Sequence, residues 1–279
     1  MHPMLIYGCL CQSILLGSLF VSVLALTSVQ SRGRSSVSGN WLHGYLGSGS
    51  EIHNSIYIKR STDLSTSNDS LSCEDLEGVG SFNTTCFLNS NLYLNSDLYI
   101  YGTGNLEILP HVSITCPAEG CSISFNVSGN IKIGKYAAII AGSVVFSAAN
   151  LTMEQYSSVN TSSLGGPPPP QTSGTPVGYD GAGGGHGGRG ASCLKSNQTK
   201  FWGGDVYAWS TLSEPWSYGS KGGGNSAENR FGGDGGGRVM LKVRDILYLN
   251  GSVTAEGGNG GPGRGGGSGG SIMVHALKL

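Results

Sequence analysis

Two lines of this sequence align when one is shifted by twenty residues. The first is Asn130-Ile-Lys-Ile-Gly-Lys-Tyr-Ala-Ala-Ile-Ile-Ala-Gly142, and the second is Asn150-Leu-Thr-Met-Glu-Gln-Tyr-Ser-Ser-Val-Asn-Thr-Ser162. Ile131 meets Leu151, Ile133 meets Met153, Tyr136 meets Tyr156 and Ile139 meets Val159. Apolar and polar residues alternate, which is the strand period. The runs are short and rich in β-branched residues, which argues against helices. A strand pair recurring at about twenty residues is the signature of a coil in a parallel β-helix. One coil cannot bury its inward side chains alone, so coils must stack.

The pattern recurs at 106–114 and 247–255, each time with a shorter corner than in the first two lines. The expected fold is therefore all-β, a parallel β-helix-like solenoid of four or more coils separated by insertions. The competing reading is a set of unrelated hairpins, for which Asn250-Gly251 would make a suitable turn. Glycine supplies 48 of the 279 residues and proline only ten, with no collagen period. Glycine adds nothing to a core and loses the most backbone freedom on folding. The apolar residues must therefore be kept for a few strands.

Residues 4–26 are apolar or small and uncharged, with small residues near a cleavage point at Val29-Gln-Ser31. This reads as a signal peptide over residues 1–31. The run is also long enough to act as an uncleaved anchor. Residues 32–70 read as a polar linker with one strand hinted by Ile52, Ile56 and Ile58. Coils are expected over 71–164. Gly165-Gly-Pro-Pro-Pro-Pro170 then breaks the pattern, because proline cannot donate ladder hydrogen bonds. Residues 165–237 read as a Pro/Gly-rich insertion carrying Phe201, Trp202, Tyr207, Trp209, Trp216 and Tyr218. Coils resume over 238–279, with a glycine loop at 257–270 and a last strand at 271–279.

The formal net charge is −1, which gives no electrostatic case for nucleic acid. Beyond the leader lie Cys73, Cys86, Cys116, Cys121 and Cys193. Proximity favours pairing Cys73 with Cys86 and Cys116 with Cys121, leaving Cys193 odd. No Cys-x-x-Cys pair or matching histidine set points to zinc. Asn-x-Ser/Thr acceptors for N-glycosylation occur at Asn68, Asn83, Asn126, Asn150, Asn160, Asn197 and Asn250. With the leader, they point to a luminal chain.

Motifs for catalysis fail on context. Gly266-Gly-Ser268-Gly-Gly270 matches a nucleophile elbow, but a glycine run precedes it and a strand is expected to follow. The Gly-x-Gly-x-x-Gly matches open no helix. Gly185-His186-Gly187 is the segment that polygalacturonate hydrolases place beside paired aspartates. Glycoside hydrolysis needs two carboxylates, and here the nearest acids are the single Asp180 and Asp205. His186 therefore reads as a flexible or structural residue. Asp234 lacks the tandem spacing of a calcium solenoid. No catalytic residue, cofactor or metal is expected. Trp202, Trp209, Trp216 and Tyr218 are the candidate ligand surface, for stacking on sugar rings. The alternative is a small structural core that ties down glycine segments, with Asp205 or Glu214 accepting an indole N–H.

Several segments carry a resemblance: Gly78-Val-Gly-Ser-Phe-Asn-Thr-Thr-Cys86, Ile114-Thr-Cys-Pro-Ala-Glu-Gly-Cys121, Pro167 through Gly190, Trp202-Gly-Gly-Asp205 and Pro215-Trp-Ser-Tyr-Gly-Ser-Lys221. From about Leu71 onward the chain resembles a family of large plant glycine-rich proteins of unknown biochemical function. The resemblance implies a longer protein of the secretory pathway with membrane spans near its C-terminus, of which this chain looks like the N-terminal piece. It implies no reaction. The expectation is a non-enzymatic extracellular or cell-surface glycoprotein acting as scaffold or binding surface, for cell-wall polysaccharide or another surface protein. The alternatives are a pectin-lyase-like polysaccharide enzyme, or a receptor ectodomain whose glycine tracts pack as polyproline II strands.

Overall fold

The computed structural model describes residues 56–58, 71–167, 174–176, 181–194, 200–207 and 216–279. The expected leader (1–31), almost all of the linker (32–70), Asn68, Asn197 and Trp209 lie outside these residues. The described part is all-β, with one short 3-10 helix at Glu74–Leu76.

Strands β1 (Ile56–Ile58), β2 (Val79–Gly80), β3 (Thr85–Leu88) and β4 (Leu92–Leu94) open the fold. Three similar circuits follow: β5 (Leu98–Gly102), β6 (Asn105–Ile108) and β7 (Ser113–Thr115); β8 (Ser122–Val127), β9 (Ile131–Ile133) and β10 (Ala138–Ile140); β11 (Ser143–Ala148), β12 (Leu151–Met153) and β13 (Ser158–Asn160). The insertion contributes an antiparallel pair, β14 (Cys193–Leu194) and β15 (Lys200–Phe201). A fourth circuit, β16 (Arg238–Val243), β17 (Leu247–Leu249) and β18 (Ser252–Thr254), precedes β19 (Ser271–His275).

Corresponding strands of successive circuits pair in parallel, giving three sheets ordered β19-β16-β11-β8-β5, β17-β12-β9-β6-β3-β2 and β1-β4-β7-β10-β13-β18. Stacked, mostly parallel sheets visited in rotation are compatible with a β-solenoid. The chain returns to the first sheet after 165–237 as though the insertion were absent: β16 lies directly against β11, with Val144 opposite Val239 and Phe146 opposite Leu241.

The twenty-residue alignment is the observed register. Ile131 pairs with Leu151, Ile133 with Met153 and Ile139 with Val159. These six side chains are buried in one core. Alternation puts every second residue inside, so equivalent inward residues form columns along the stack, such as Ile108, Ile133 and Met153. Phe125 and Phe146 stack in another column at 6.0 Å. Outward side chains form ladders as well. Lys132, on the outer face of β9, bridges Glu107 and Glu154 at 3.1 Å each, and all three are half-buried rather than fully exposed. Asn150 Nδ2 donates to Asn130 Oδ1 at 2.8 Å, and Asn150 Oδ1 accepts from the Ile246 N–H at 3.0 Å.

The corner at 109–112 differs from its sequence reading. Ile108 aligns with Ile133 and Ile114 with Ile139, so this corner is as long as the next one. Its third residue, His111, takes the place of Tyr136. The backbone φ is 65° at His111, 60° at Tyr136 and 62° at Tyr156. All three lie in the left-handed region that bulky residues rarely adopt. Their rings stack at 5.0 Å, His111 on Tyr136 and Tyr136 on Tyr156. Among the four circuits only the fourth has a short corner, the two residues Asn250 and Gly251 between β17 and β18; the β3–β4 corner before them is equally short, with Leu88 and Leu92 opposite Ile108 and Ile114.

The N-terminal end is closed by β2, antiparallel to β3, and by the Cys73–Cys86 disulfide. A second disulfide joins Cys116 and Cys121 across the corner before β8. At the other end β19 stops at His275; Lys278 then bridges Ile246 beside β17, so 271–279 is not one straight strand. Ile272 and Val274 continue the core columns of Val239 and Leu241, and are 44% and 40% exposed at this end of the stack.

The glycine tracts are ordered without forming helix or sheet. Gly183, Gly184 and Gly185 donate backbone N–H groups to Ala191, Gly266 and Gly174, which belong to three different segments. Gly222 and Gly223 likewise turn to Gly233 and Ala182. Successive residues pointing in three directions give a three-residue period, that of a polyproline II helix. Such tracts pack backbone against backbone. A Cβ on Gly204 would lie 1.6 Å from the Gly174 carbonyl oxygen, so nothing larger than hydrogen fits there.

Candidate functional site

The segment 216–220 runs over the outer face of the first sheet, where it meets Arg238 on β16 and Ser271 on β19. Arg238 donates from Nη1 to the Trp216 carbonyl and from Nε to Ser143 Oγ, both at 3.2 Å. Its guanidinium lies over the Trp216 ring at 4.5 Å and the Tyr218 ring at 4.3 Å. Burial lowers its pKa, and Tyr218 acts in the opposite sense. Tyr218 Oη donates to the Gly120 carbonyl at 3.3 Å, tying this segment to the corner held by the second disulfide. Two of the four candidate ligand residues, Trp216 and Tyr218, are thus half-buried partners of Arg238.

His186 lies beneath them. Its Nδ1 is 2.8 Å from the Gly269 carbonyl oxygen. A carbonyl can only accept, so Nδ1 carries the proton. Nε2 then accepts from Ser217 Oγ at 2.7 Å. The Tyr207 ring packs on the imidazole at 4.9 Å. Burial holds His186 below the usual histidine range, while its bond to Gly269 acts the other way. Tyr207 donates to the Tyr218 carbonyl and accepts from Ser220 Oγ at 3.0 Å; burial raises its pKa. Ser271 Oγ donates to the Ser217 carbonyl at 2.8 Å, and Ser268 Oγ donates to the Gly185 carbonyl at 3.1 Å. This network pins three glycine segments to β19, so His186 has a fixed place rather than a flexible one.

The Ser217–His186 spacing is that of a nucleophile and its base. However, Ser217 is 3% and His186 7% exposed, and the pair is closed off as a buried hydrogen bond. Of the two acids nearest the Gly-His-Gly segment in sequence, Asp205 binds Arg189 at 2.6 Å, and Asp180 lies outside the described residues. Ser268 opens no helix, because the segment after it enters β19. Among the described residues no group of three or more His, Cys, Asp or Glu side chains could hold a metal ion. No helix among them is long and apolar enough to cross a membrane.

Trp202 is placed differently from Trp216. It is 61% exposed, with the Arg189 guanidinium 5.7 Å from its ring centre. Tyr136 and Tyr156 also face solvent, with Lys135 Nζ at 5.3 and 6.0 Å from their ring centres. Sequence reasoning placed Tyr136 and Tyr156 at equivalent positions but missed His111 as their third member. It also missed Ser217 and Arg238, which no motif marks.

The five described glycosylation acceptors are not equivalent. Asn83, Asn126 and Asn250 are exposed, whereas Asn150 and Asn160 are half-buried and hydrogen-bonded between circuits. The acceptors Asn68 and Asn197, the candidate Trp209 and the Cys193 side chain lie outside what is described. Comparison with protein-family models, with curated proteins and with solved structures found no match.

Proposed function

We propose that this chain is the β-solenoid part of a secreted or cell-surface glycoprotein that works as a scaffold and binding surface, not as an enzyme. The observation that carries the compartment is the pair of disulfides, Cys73–Cys86 and Cys116–Cys121. Such bonds persist where the surroundings are oxidising. The exposed acceptors Asn83, Asn126 and Asn250 support the same reading, as does the resemblance to large glycine-rich proteins of the secretory pathway. Membrane attachment would come from the N-terminal apolar run or from the longer family context.

The parallel solenoid supplies a rigid body, and the glycine tracts widen it by laying a second layer on one sheet. Trp202, exposed and with Arg189 over its ring, is the candidate for stacking on a sugar, and cell-wall polysaccharide is the proposed ligand class. A second reading is favoured by the three-residue period of the glycine tracts: a receptor-type ectodomain that presents a protein-binding face on packed polyproline II strands.

The test is secretion of the chain from a eukaryotic host, followed by N-glycosidase treatment and a binding screen against polysaccharides and surface proteins. A gel shift is expected, with polysaccharide binding that Trp202→Ala weakens. An unshifted band would remove the luminal assignment, and turnover of pectic polysaccharide lost in His186→Ala would overturn the non-enzyme reading.

A further inference from the structure

The ring stack at the corner ends at Tyr156, on the side of the fourth circuit. His111, Tyr136 and Tyr156 rise by one rung per circuit, each ring 5.0 Å from the next. The fourth circuit brings no fourth ring, because its corner is only Asn250 and Gly251. Gly251 lies directly against Ser157: a Cβ there would be 2.4 Å from the Ser157 carbonyl oxygen. The Asn250 N–H donates to the Met153 carbonyl at 2.9 Å, as the Glu154 N–H does to the Ile133 carbonyl one circuit below, so Asn250 sits over Glu154, two residues before Tyr156 in the corner. Among the described residues no ring stacks on the outer side of Tyr156, which is 59% exposed.

Asn250 is itself a glycosylation acceptor, in Asn250-Gly-Ser252. Its side chain is exposed and has no hydrogen bond among the described residues. Asn150 contrasts with it: its Nδ2 already donates to Asn130, and a sugar would take one of the two hydrogens on that half-buried nitrogen. We propose that Asn250 carries an N-glycan whose first N-acetylglucosamine lies on the open face of Tyr156 and forms the fourth rung of the His111–Tyr136–Tyr156 stack. The inference rests on the glycoprotein reading above. The chemistry is apolar: the C–H face of a pyranose covers the side of Tyr156 turned away from Tyr136, as a further aromatic ring would. It also gives a use to three bulky residues held at positive φ, a conformation whose cost stacking alone only about balances.

The experiment uses the secreted chain, with occupancy at each acceptor read by mass spectrometry. Thermal melts compare wild type with Asn250→Gln, before and after trimming with an endoglycosidase that leaves one N-acetylglucosamine. The expected result is occupied Asn250 and a melting temperature about 2–4 °C higher than in Asn250→Gln. That gap should survive trimming, because only the first sugar touches Tyr156. In a Tyr156→Gly background, where glycine suits the positive φ, the gap should vanish; with Tyr156→Phe it should remain. An equal gap in Tyr156→Gly, no gap in wild type, or an empty Asn250 beside other occupied acceptors would overturn the inference alone. No occupancy at any acceptor would overturn the glycoprotein reading with it.

Discussion

In the circuits, Ile108, Ile133 and Met153 meet in a buried column, and each strand is fixed by what its side chains touch. In the glycine tracts, Gly174, Gly185, Gly190 and Gly204 meet through backbone N–H and carbonyl groups alone. Both regions stack extended chain on extended chain. The circuits hold their strands together by burying apolar surface. The tracts bury almost none, and gain instead from hydrogen bonds formed where water is excluded. Their sensitivities should therefore be opposite: circuits fail when side chains shrink or gain charge, tracts when side chains appear.

The largest effect is expected from Ile133→Asp. It places an unpaired charge in a fully buried column. That costs several kcal/mol, of the order of a domain's whole stability. The secreted variant should be lost to misfolding, whereas Lys132→Ala on the same strand is secreted normally. A tolerated Ile133→Asp would mean that the register is wrong.

Next comes Gly204→Ala. Its new methyl would sit 1.6 Å from the Gly174 oxygen. Overpacking of this kind costs about 1–3 kcal/mol or more. The loss should be local. Limited proteolysis should open the insertion while the circuits stay resistant, because β16 pairs with β11 independently of the tracts.

The pH dependence should also separate the regions. An unfolded histidine titrates near ~6.5, and burial holds folded His186 lower. The folded state thus favours the neutral ring. Its stabilising effect is complete above ~6.5 and is lost as the pH falls through the folded value. Melts of wild type between pH 7 and 4 should show the insertion loosening before the circuits, and His186→Gln should flatten that part of the profile.

The smallest effect is Lys132→Ala. Its two ion pairs are half-exposed. Their loss should cost less than ~1 kcal/mol in denaturant titrations.

The circuits were legible in the sequence because inward residues must alternate and must match their neighbours one circuit away. Ile131 with Leu151 and Tyr136 with Tyr156 follow from that rule. The rule failed at 109–112, where the corner was read as shorter than those of the first two lines, which hid His111 as a rung. It failed more broadly in the insertion. The partner of Gly184 is Gly266, and nothing in a glycine says which of many glycines it will meet. The partners of the aromatic cluster were hidden for a related reason. Arg238 reads as the first residue of a strand, and Ser217 as one serine among many. Of the two acceptors expected for an indole N–H, Asp205 pairs with Arg189, and Glu214 lies outside the described residues. The disulfides were readable because short separations leave few choices.

Backbone amide hydrogen exchange tests the comparison most directly. If the tracts are held by hydrogen bonds between segments, the amides of Gly184, Gly185 and Gly204 should exchange nearly as slowly as those of Ile133 and Val144. Gly187 and Gly188, which have nothing within 4 Å of an added Cβ, should exchange fast. Exchange of Gly184, Gly185 and Gly204 at the rate of an open chain, with Ile133 still protected, would contradict the account: the glycine region would then be a loop rather than a second packed layer.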